Sequence, residues 1–528
     1  MATVRSTAYA VSLFTSAGAV VIAAAPSAHA DQPFLLPNSL VISSSTYDNT
    51  QGAVASLTKG TTLAGTKSAT SVAVDGNSYV DVWFNESVDA SFGVTSPIYL
   101  TDIEPHSGHV FHVMAVPTDQ VVTSFPSKSE LGLHVAHSGH DAQLTFVAYA
   151  GAGVGALDVS NSDAVVGQDP TNPVTFAFPS PYAFPRTIVS VDAAGKLTYT
   201  PTIDYGGNNG RSALLGSNGF YYAVGNANNG DAKQFGSNNN GTKPDVTETT
   251  GLEVVQPING KTVSVPIPKD NSAEVDPLLQ FCNNTIPIPC PAKTTPDKPG
   301  KDDNFRGVTE FGGALYFTKG SGSNGMNTVY TVSPLPTLAN AASAVINVVP
   351  GFPQDSAKPG GHFTPFAVFF ANASTMYVTD EGTGDATDSS QHAGLEKWSL
   401  VSGSWQLDYV LTQGLIGTVD SNLTGSDGPY PDVKTIGLRN LSGVVNVDGT
   451  VTLWATTSTS SASGDNGADP NKVVTITDQL APMTMTPPVA QETFTAVAGP
   501  TYGTAYRGVA YVCSNGGLDA QGICHVGQ

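Results

Sequence analysis

The chain has 528 residues, of which 43 are acidic and 22 basic, and its formal net charge is −21. A protein this negative repels nucleic acid and anionic membrane surfaces, so we expect neither as a partner. Charged residues make up only 12% of the chain, about half of the roughly 25% that is usual. Together with 55 glycines and 36 prolines, this composition is typical of an all-β protein with many turns.

Residues 1–30 have the features of a cleavable signal peptide. Arg5 is followed by an apolar run from Ala8 to Ala25, and then by small residues that end in Ala28-His29-Ala30. We expect cleavage before Asp31 and a secreted protein, either extracellular or periplasmic. A membrane anchor is the alternative, but polar residues interrupt the apolar run, and no later segment predicts a membrane span.

The next apolar segments, Leu40–Ser45, Ile98–Ile103 and Val110–Val116, alternate as β-strands do. They can supply the second, third and fourth strands of a sheet that lacks its first strand. The last such segment of the chain, Tyr506–Val512, has no further strands after it. Pairing of the two chain ends would complete one sheet and close a ring.

Between the chain ends a unit of two strands recurs, in which an inner strand starts near a polar residue and a second strand ends in a Gly-rich or Ser-rich loop. The inner strands are predicted to start at Glu130, Arg211, Arg306, Pro365, Arg439 and Arg507. The second strands are predicted at Gln143–Tyr149, Gly219–Val224, Ala314–Thr318, Thr375–Thr379 and Thr450–Ala455.

The spacing of these units, roughly 60 to 95 residues, exceeds the ~40 to 50 residues of minimal propeller repeats, so the repeats carry insertions. We predict a single β-propeller over residues 31–528, with six blades favoured and seven as the fallback. A two-domain β-sandwich is the alternative. Because a closed ring hides its sheet edges, we expect a monomer.

Three long irregular segments, 226–249, 265–304 and 457–471, are predicted to lie on the face of the channel mouth. The second of them contains Cys282 and Cys290, and Cys513 and Cys524 lie near the C-terminus. Paired cysteines in an exported chain predict two local disulfides. A four-thiolate metal site is the alternative, but neither pair has the Cys-x-x-Cys spacing.

Six motifs follow one another along the chain: Ser127-Lys-Ser-Glu-Leu-Gly-Leu, Gly206-Gly-Asn-Asn-Gly-Arg-Ser, Phe305-Arg-Gly-Val, Val349-Pro-Gly-Phe-Pro, Gly394-Leu-Glu-Lys-Trp-Ser-Leu and Tyr506-Arg-Gly-Val-Ala. With them the chain resembles a group of uncharacterised secreted bacterial β-propeller proteins of the lactonase-like, six-bladed type. The resemblance covers most of the chain beyond residue 30. Its motifs build blades, so it implies a fold and leaves the activity open.

The arginines at the starts of the inner strands are predicted to face the channel mouth. They are Arg211, Arg306, Arg439 and Arg507. Guanidinium groups that meet at one mouth would bind a carboxylate, phosphate or sulfate through paired hydrogen bonds. The alternative is that each arginine pairs with an acid or a backbone carbonyl of the neighbouring blade and only ties the ring together.

Acidic and amide side chains are predicted on the same face. The candidate acids and bases for catalysis are Glu130, His362, Asp380 and Glu381. Lactonase-like and sugar-lactone-hydrolysing propellers hold calcium with oxygen ligands around the axis, and here that resemblance implies the candidate ligands Asn208, Asn304, Asp380 and Asp385. Turns use the same residue types for their own hydrogen bonds, which is the alternative.

Two similar turns, Pro105-His-Ser-Gly-His and Ala136-His-Ser-Gly-His, are predicted on the opposite face. Their imidazoles, His106, His109, His137 and His140, are candidate ligands of Zn, Cu or Ni. The alternative is a pair of solvated turns without a metal.

Two functions remain open from the sequence. The first is a secreted ligand-binding or interaction module with an anion site at the channel mouth, whose partner is a small anionic molecule or a carbohydrate. The second is an extracellular hydrolase or lyase acting on a small anionic or lactone substrate derived from a sugar, with calcium as its candidate cofactor. No specific catalytic motif decides between an enzyme and a binding module.

Overall fold

Six sheets, each built on four antiparallel strands, make up most of the described chain. The computed structural model describes residues 33–63, 71–89, 92–138, 141–162, 184–227, 249–265, 267, 303–320, 322, 325–356, 362–385, 387–388, 391–460, 463, 465–480, 492–514 and 516–526. Within each sheet the strands pair in order from the first to the fourth. This is the arrangement of a six-bladed β-propeller, as the sequence predicts.

The blades are numbered from the first complete one along the chain. Blade 1 consists of His134–Ser138, Asp141–Ala150, Arg186–Asp192 and Leu197–Pro201; blade 2 of Gly210–Leu215, Tyr221–Gly225, Gly251–Val255 and Thr262–Val265; blade 3 of Val308–Phe311, Ala314–Lys319, Met326–Val332 and Asn347–Val348. Blade 4 consists of Pro365–Asn372, Thr375–Asp380, Gly394–Val401 and Ser404–Leu411; blade 5 of Val433–Asn446, Thr450–Ser460, Val473–Gln479 and Thr495–Ala498; blade 6 of Thr504–Val512, Ser39–Thr46, Ile98–Ile103 and Val110–Ala115.

Short strands and 3-10 helices lie outside the four main strands of the blades. The additional strands are Thr62–Leu63, Ser71–Val72, Thr95–Ser96, Val121–Ser124, Asp355–Ser356, Val419–Asp420, Thr424–Gly425, Gly428–Pro429 and His525–Val526. The short 3-10 helices are Val54–Ser56, Asp81–Ser87, Val159–Asn161 and Ala341–Ser343. In the described ranges no helix has the length and apolar character that crossing a membrane requires.

Both ends of the chain contribute to blade 6. Ser39–Thr46 pairs antiparallel with Thr504–Val512 on one side and with Ile98–Ile103 on the other. Leu40, Val41 and Ile42 are at most 1% exposed. The prediction that the ring closes by pairing of the chain ends is therefore confirmed.

Of the six predicted strand starts only Pro365 agrees with the structure; the first strands of blades 2, 3, 5 and 6 begin at Gly210, Val308, Val433 and Thr504. The first strand of blade 1 begins at His134 and not at Glu130. Leu131 has a φ of 61°, a left-handed conformation that an extended strand cannot contain. Glu130 consequently lies in the segment that leads into the blade.

Buried hydroxyl groups connect neighbouring blades at five junctions. In each case a Ser or Thr of a second strand donates to a backbone carbonyl in the next blade, within its first strand or the segment leading into it. The pairs are Thr145 with Ala213 (2.7 Å), Thr318 with Phe366 (2.6 Å), Thr379 with Arg439, Thr456 with Arg507 (3.0 Å) and Ser43 with Leu131 (2.8 Å). A buried hydroxyl needs such a partner, so these residues fix how the blades meet around the axis.

The Arg-Gly-Val motif places glycine where the backbones of two blades approach closely. A Cβ on Gly307 would lie 2.6 Å from the carbonyl oxygen of Phe366 in blade 4, and one on Gly508 would lie 2.4 Å from that of Leu131. Only glycine avoids both clashes. The motif therefore serves the packing of first strands around the channel.

The C-terminal cysteines form the disulfide Cys513–Cys524, as predicted. Both cysteines are buried in a core cluster that also contains Trp454 of blade 5. Cys282 and Cys290, like the predicted signal peptide at residues 1–30, lie outside the described residues.

Candidate functional site

A cavity of about 540 Å³ opens on the channel mouth, where the first strands begin and the second strands end. Its volume is typical of small-molecule sites. Segments of all six blades contribute to its wall, so it lies on the axis of the ring. The lining residues are Glu86, Pro126, Ser127, Lys128, Ser129, Asn209, Arg211, Arg306, Gly384, Ser460, Asp465 and Asn466.

The predicted arginines occupy a recurring position at this mouth. Arg211, Arg439 and Arg507 lie where the first strands of blades 2, 5 and 6 shift register. Such β-bulges turn a side chain away from the sheet face that it would otherwise occupy. All four arginines are at most 7% exposed, and two of them, Arg211 and Arg306, line the cavity.

Arg211 and Arg306 each reach across a junction to a neighbouring segment. Arg211 Nη1 donates to the carbonyl oxygen of Phe305 at 2.6 Å and to Oδ1 of Asn304. Arg306 Nη1 donates to Oγ of Ser129. These bonds tie the starts of blades 1, 2 and 3 together.

Arg507 has a similar tying role on the other side of the mouth. Its Nη2 donates to the carbonyl oxygen of Gly467 at 2.7 Å and to that of Phe125. Arg507 is 2% exposed and is not among the residues that line the cavity. We therefore interpret it as a connection between blade 6 and the loops of blades 5 and 1.

Glu381 forms the centre of an ionic cluster beside the cavity. Its Oε2 lies 2.9 Å from Nζ of Lys128 and 3.4 Å from Nε of Arg439. Burial alone would raise the pKa of Glu381, but the positive charges of Lys128, Arg306 and Arg439 lower it to about 2. Glu381 is therefore a permanent anion that compensates cations, and this does not suit a group that must exchange protons.

The arginines also carry donors that these contacts leave unused. Nε of Arg211, Nε of Arg306 and Nη2 of Arg439 are buried and have no hydrogen-bond partner among the described residues. Arg211 and Arg306 are more than nine-tenths buried, and both line the cavity. A buried donor without an acceptor costs free energy, so these guanidinium groups favour an acceptor beside them.

Glu130 is held by hydrogen bonds within the protein. Its carboxylate accepts from Thr123 Oγ1 at 2.6 Å, the Ser124 amide at 3.0 Å, the Tyr149 hydroxyl at 2.6 Å and Asn209 Nδ2 at 2.6 Å. It is 1% exposed. Because Asn209 lines the cavity, Glu130 positions a wall residue and does not itself reach the cavity.

Asp380 ends the second strand of blade 4, His362 lies in the segment that leads into this blade, and neither lines the cavity. Asp380 accepts from the Thr364 amide at 2.6 Å and the Gly382 amide at 2.8 Å, and also from the Thr364 hydroxyl. Burial, followed by the charge of Glu396, raises the pKa of Asp380 to about 7. His362 Nδ1 lies 3.2 Å from Oδ2 of Asp388. The four predicted acid and base candidates thus do not meet at one point.

The predicted calcium ligands are each engaged in local contacts. Asn208 Oδ1 accepts from the Asn209 amide at 2.9 Å, Asn304 Oδ1 accepts from Arg211, and Asp385 Oδ1 accepts from the Thr387 amide at 2.9 Å. In the described residues no group of three or more His, Cys, Asp or Glu side chains is placed to hold a metal ion.

The predicted histidine turns lie at the end of the sheets opposite the mouth. His106 and His109 are between the third and fourth strands of blade 6, and His137 is in the first strand of blade 1. The ring of His106 lies 6.2 Å from that of Trp454 in blade 5. His140 falls outside the described residues.

The cavity contains a pair of carboxyl groups that sequence reasoning missed. Glu86 is in the 3-10 helix Asp81–Ser87 between the second and third strands of blade 6, and Asp465 is in the loop after the second strand of blade 5. The two side chains are hydrogen-bonded to each other. Asp465 belongs to the predicted insertion 457–471, whereas nothing in the sequence marks Glu86.

Burial raises the pKa of both carboxyl groups, but the hydrogen bond between them shifts their two pKa values in opposite directions. For Glu86, burial, the charge of Asp465 and the bond to Asp465 all raise the pKa. For Asp465, burial raises the pKa, while the bond from Glu86 and the bond from the Gly467 amide lower it. The proton therefore resides on Glu86, and Asp465 is the ionised partner.

The charges that line the cavity do not cancel. Lys128, Arg211 and Arg306 are its cations, and Glu86 and Asp465 are its acids. Because the two acids share one proton, they carry a single negative charge, and Glu381, ionised 2.9 Å from Lys128, adds a second one against the three positive charges. The mouth is therefore positive although the chain as a whole has a net charge of −21.

No protein-family model matches this sequence, and no curated protein matches it. The solved structures to which this chain is similar include a protein of unknown function from Dyadobacter fermentans. The sequence identity is 11%, the match covers 72% of this chain and 98% of that chain, and the TM-score is 0.30. A GH43 β-xylosidase/α-arabinofuranosidase from a compost microbial metagenome has 9% identity over 69% and 98% of the two chains and a TM-score of 0.28. A GH43_1 enzyme from Xanthomonas citri has 11% identity over 66% and 91% and a TM-score of 0.29.

Proposed function

We propose that this protein is an exported β-propeller that binds a small hydroxylated anion, of the sugar-acid class, in the cavity at the channel mouth. The observation that carries the proposal is the pair Arg211 and Arg306. Both line the cavity, both are more than nine-tenths buried, and both have a buried nitrogen without an acceptor among the described residues.

A carboxylate fits this wall because it supplies acceptors and negative charge together. Arginine donates to carboxylates through hydrogen bonds that are shorter and stronger than neutral ones. Lys128 adds a further cation, and its ammonium group lies 2.9 Å from Glu381, which holds it in place. The surplus of positive charge in the wall favours an anion over a neutral ligand.

The rest of the wall favours a ligand with many hydroxyl groups. Its side chains include the hydroxyls of Ser127, Ser129 and Ser460 and the amides of Asn209 and Asn466, and Pro126 is its one apolar side chain. Hydroxyls and amides both donate and accept, as the hydroxyl groups of a sugar do. An apolar anion would leave these groups unpaired.

Calorimetric titration with matched ligands tests the proposal. Glucarate and glucuronate should bind, whereas glucose, which lacks the carboxylate, should not bind measurably. Arg306→Gln and Arg211→Gln should each weaken binding about 10- to 100-fold, because a hydrogen bond to a charged group contributes roughly 1.5–3 kcal/mol.

The matched control is Lys196→Gln, which removes a cation from an exposed turn between the third and fourth strands of blade 1, at the far end of the sheets. This variant should bind like the parent protein. Equal binding of glucose and glucuronate, or equal losses in all three variants, would contradict an anion site at the mouth.

Export is the second part of the proposal. The sequence features of residues 1–30 and the disulfide Cys513–Cys524 support it, since disulfides persist in oxidising compartments. The mass of the protein recovered from the medium or periplasm should correspond to a chain that begins at Asp31. A chain that retains Met1 and stays in the cytoplasm would refute this part.

A further inference from the structure

We propose that Glu86 and Asp465 form an acid–base pair that hydrolyses an ester or lactone bond of the anion bound at the mouth. The inference rests on the proposed function, because the substrate is held by the same cavity. It goes beyond binding by assigning a reaction and the two residues that carry it.

The geometry places this pair where a bound anion would lie. Both carboxyl groups line the cavity together with Arg211, Arg306 and Lys128. The two carboxyl groups are hydrogen-bonded to each other, and the charge of Lys128 acts on both. Independent of the pair, the unpaired nitrogens of the buried Arg211 and Arg306 indicate a ligand in the same cavity.

The two members of the pair have different surroundings. Asp465 Oδ1 accepts from the Gly467 amide at 2.6 Å, and the charges of Arg507 and Lys128 favour its ionised form. Glu86 is close to Asp465 and Asp89, and both of these acids favour its protonated form. Asp465 is therefore the base and Glu86 the acid. Carboxyl pairs that share one proton are known acid–base catalysts.

Direct contact between the carboxyl groups selects the type of bond that the pair can cleave. Hydrolysis of a glycosidic bond requires two carboxyl groups about 5 Å apart or more, because they act on opposite sides of the sugar carbon. Addition of water to a carbonyl group instead requires two proton transfers at neighbouring oxygens, namely that of water and that of the carbonyl. A pair in hydrogen-bond contact can serve both oxygens at once.

The reaction balances with water as the co-reactant. The Asp465 carboxylate accepts a proton from water while the water oxygen bonds to the carbonyl carbon, and Glu86 donates its proton to the carbonyl oxygen. A neutral tetrahedral diol results. The carbon–oxygen bond to the alcohol then breaks, Asp465 gives its proton to the departing oxygen, and one diol hydroxyl returns a proton to Glu86. The products are a carboxylic acid and an alcohol, and the pair again holds one proton.

D-glucaro-1,4-lactone, which carries a free carboxylate, is the test substrate, and D-glucono-1,4-lactone, which has the same ring but no carboxylate, is its neutral counterpart. Acid release in a pH-stat measures hydrolysis. The wild-type protein should hydrolyse the anionic lactone faster than the neutral one. Glu86→Gln and Asp465→Asn should each lower the rate at least ~100-fold, the range of general acid–base catalysis.

Two matched controls lie at the far end of the sheets. Glu104→Gln alters a carboxylate in the turn between the third and fourth strands of blade 6, and Asp448→Asn alters an exposed one between the first two strands of blade 5. Both should retain the wild-type rate. Thermal melts of all four variants, together with calorimetric binding of glucarate, show whether folding and the anion site are intact.

The possible outcomes separate this inference from the proposed function. Loss of hydrolysis with retained glucarate binding in Glu86→Gln and Asp465→Asn supports the acid–base pair. If the wild-type protein binds glucarate but hydrolyses neither lactone above the buffer rate, the inference is overturned and the binding function stands. If glucarate does not bind at all, both the proposed binding function and the inference of an acid–base pair are refuted. Rates in the two variants equal to those of their controls also overturn the inference.

Discussion

A single Val41→Asp substitution is expected to prevent the propeller from folding. Val41 is 0% exposed in the strand that closes the ring. In the pairing it lies opposite Ala510 on one side and Asp102 on the other. Asp102 is itself fully buried, and burial raises its pKa to about 6. A second carboxyl group directly beside it would be buried without a partner and next to a like charge.

We expect this substitution to cost more than about 4 kcal/mol, which is exceptional for a single replacement. Soluble yield and a thermal melt followed by circular dichroism measure the effect. The matched control is Val72→Asp, because Val72 is 53% exposed in a short surface strand. A Val41→Asp protein that melts within a few degrees of the wild type would contradict the closure of the ring by this strand.

The next largest effect is expected for Glu381→Ala. Glu381 is 3% exposed, and its carboxylate compensates the charges of Lys128 and Arg439. Removing one partner of a buried ionic cluster leaves uncompensated charge and typically costs about 3–5 kcal/mol. Chemical denaturation measures the loss, and Glu104→Ala, in a surface turn, is the control that should lose little stability.

The stability that Glu381 contributes should depend on pH in a defined direction. Its pKa falls from the ordinary value of 4.5 to about 2 in the folded protein. A lowered pKa means that the contribution is fully present above pH 4.5 and is lost as the pH falls toward 2. The stability difference between wild type and Glu381→Ala should therefore shrink between pH 5 and pH 2. A constant difference over this range would refute the ionic role of Glu381.

The strands could be predicted from sequence because their signals are local. Ile98–Ile103 alternates apolar and polar residues as far as Thr101 and has the predicted bounds in the structure. The incomplete blades at the two chain ends were also recognisable, since each lacked the strands that the other supplied. The displaced start of blade 1 had no such signal, because the left-handed conformation of Leu131 has no sequence signature outside Gly, Asn and Asp.

The composition of the cavity wall could be predicted only in part. The recurring arginines were recognisable because they repeat with the blades, and Arg211 and Arg306 do line the cavity. Glu130 and Asp380 also occupy recurring positions, but hydrogen bonds within the protein engage both. A repeat indicates that a residue matters to the blade and does not say whether it faces the ligand.

The carboxyl pair could not be predicted, because its members meet only when the ring is closed. Glu86 lies within an insertion of blade 6 near the N-terminus, and Asp465 lies in a loop of blade 5 rich in Ser, Gly and Asp. In such a loop an aspartate is most simply explained as a turn residue. The contact between blades 5 and 6 gives the two carboxyl groups a shared environment that neither segment shows alone.

A crystal structure of the protein with glucarate tests the central claim most directly. The account predicts one carboxylate of glucarate in the mouth cavity, within hydrogen-bond distance of the guanidinium groups of Arg211 and Arg306. An empty cavity at a saturating concentration of glucarate, or glucarate bound elsewhere on the ring, would contradict it.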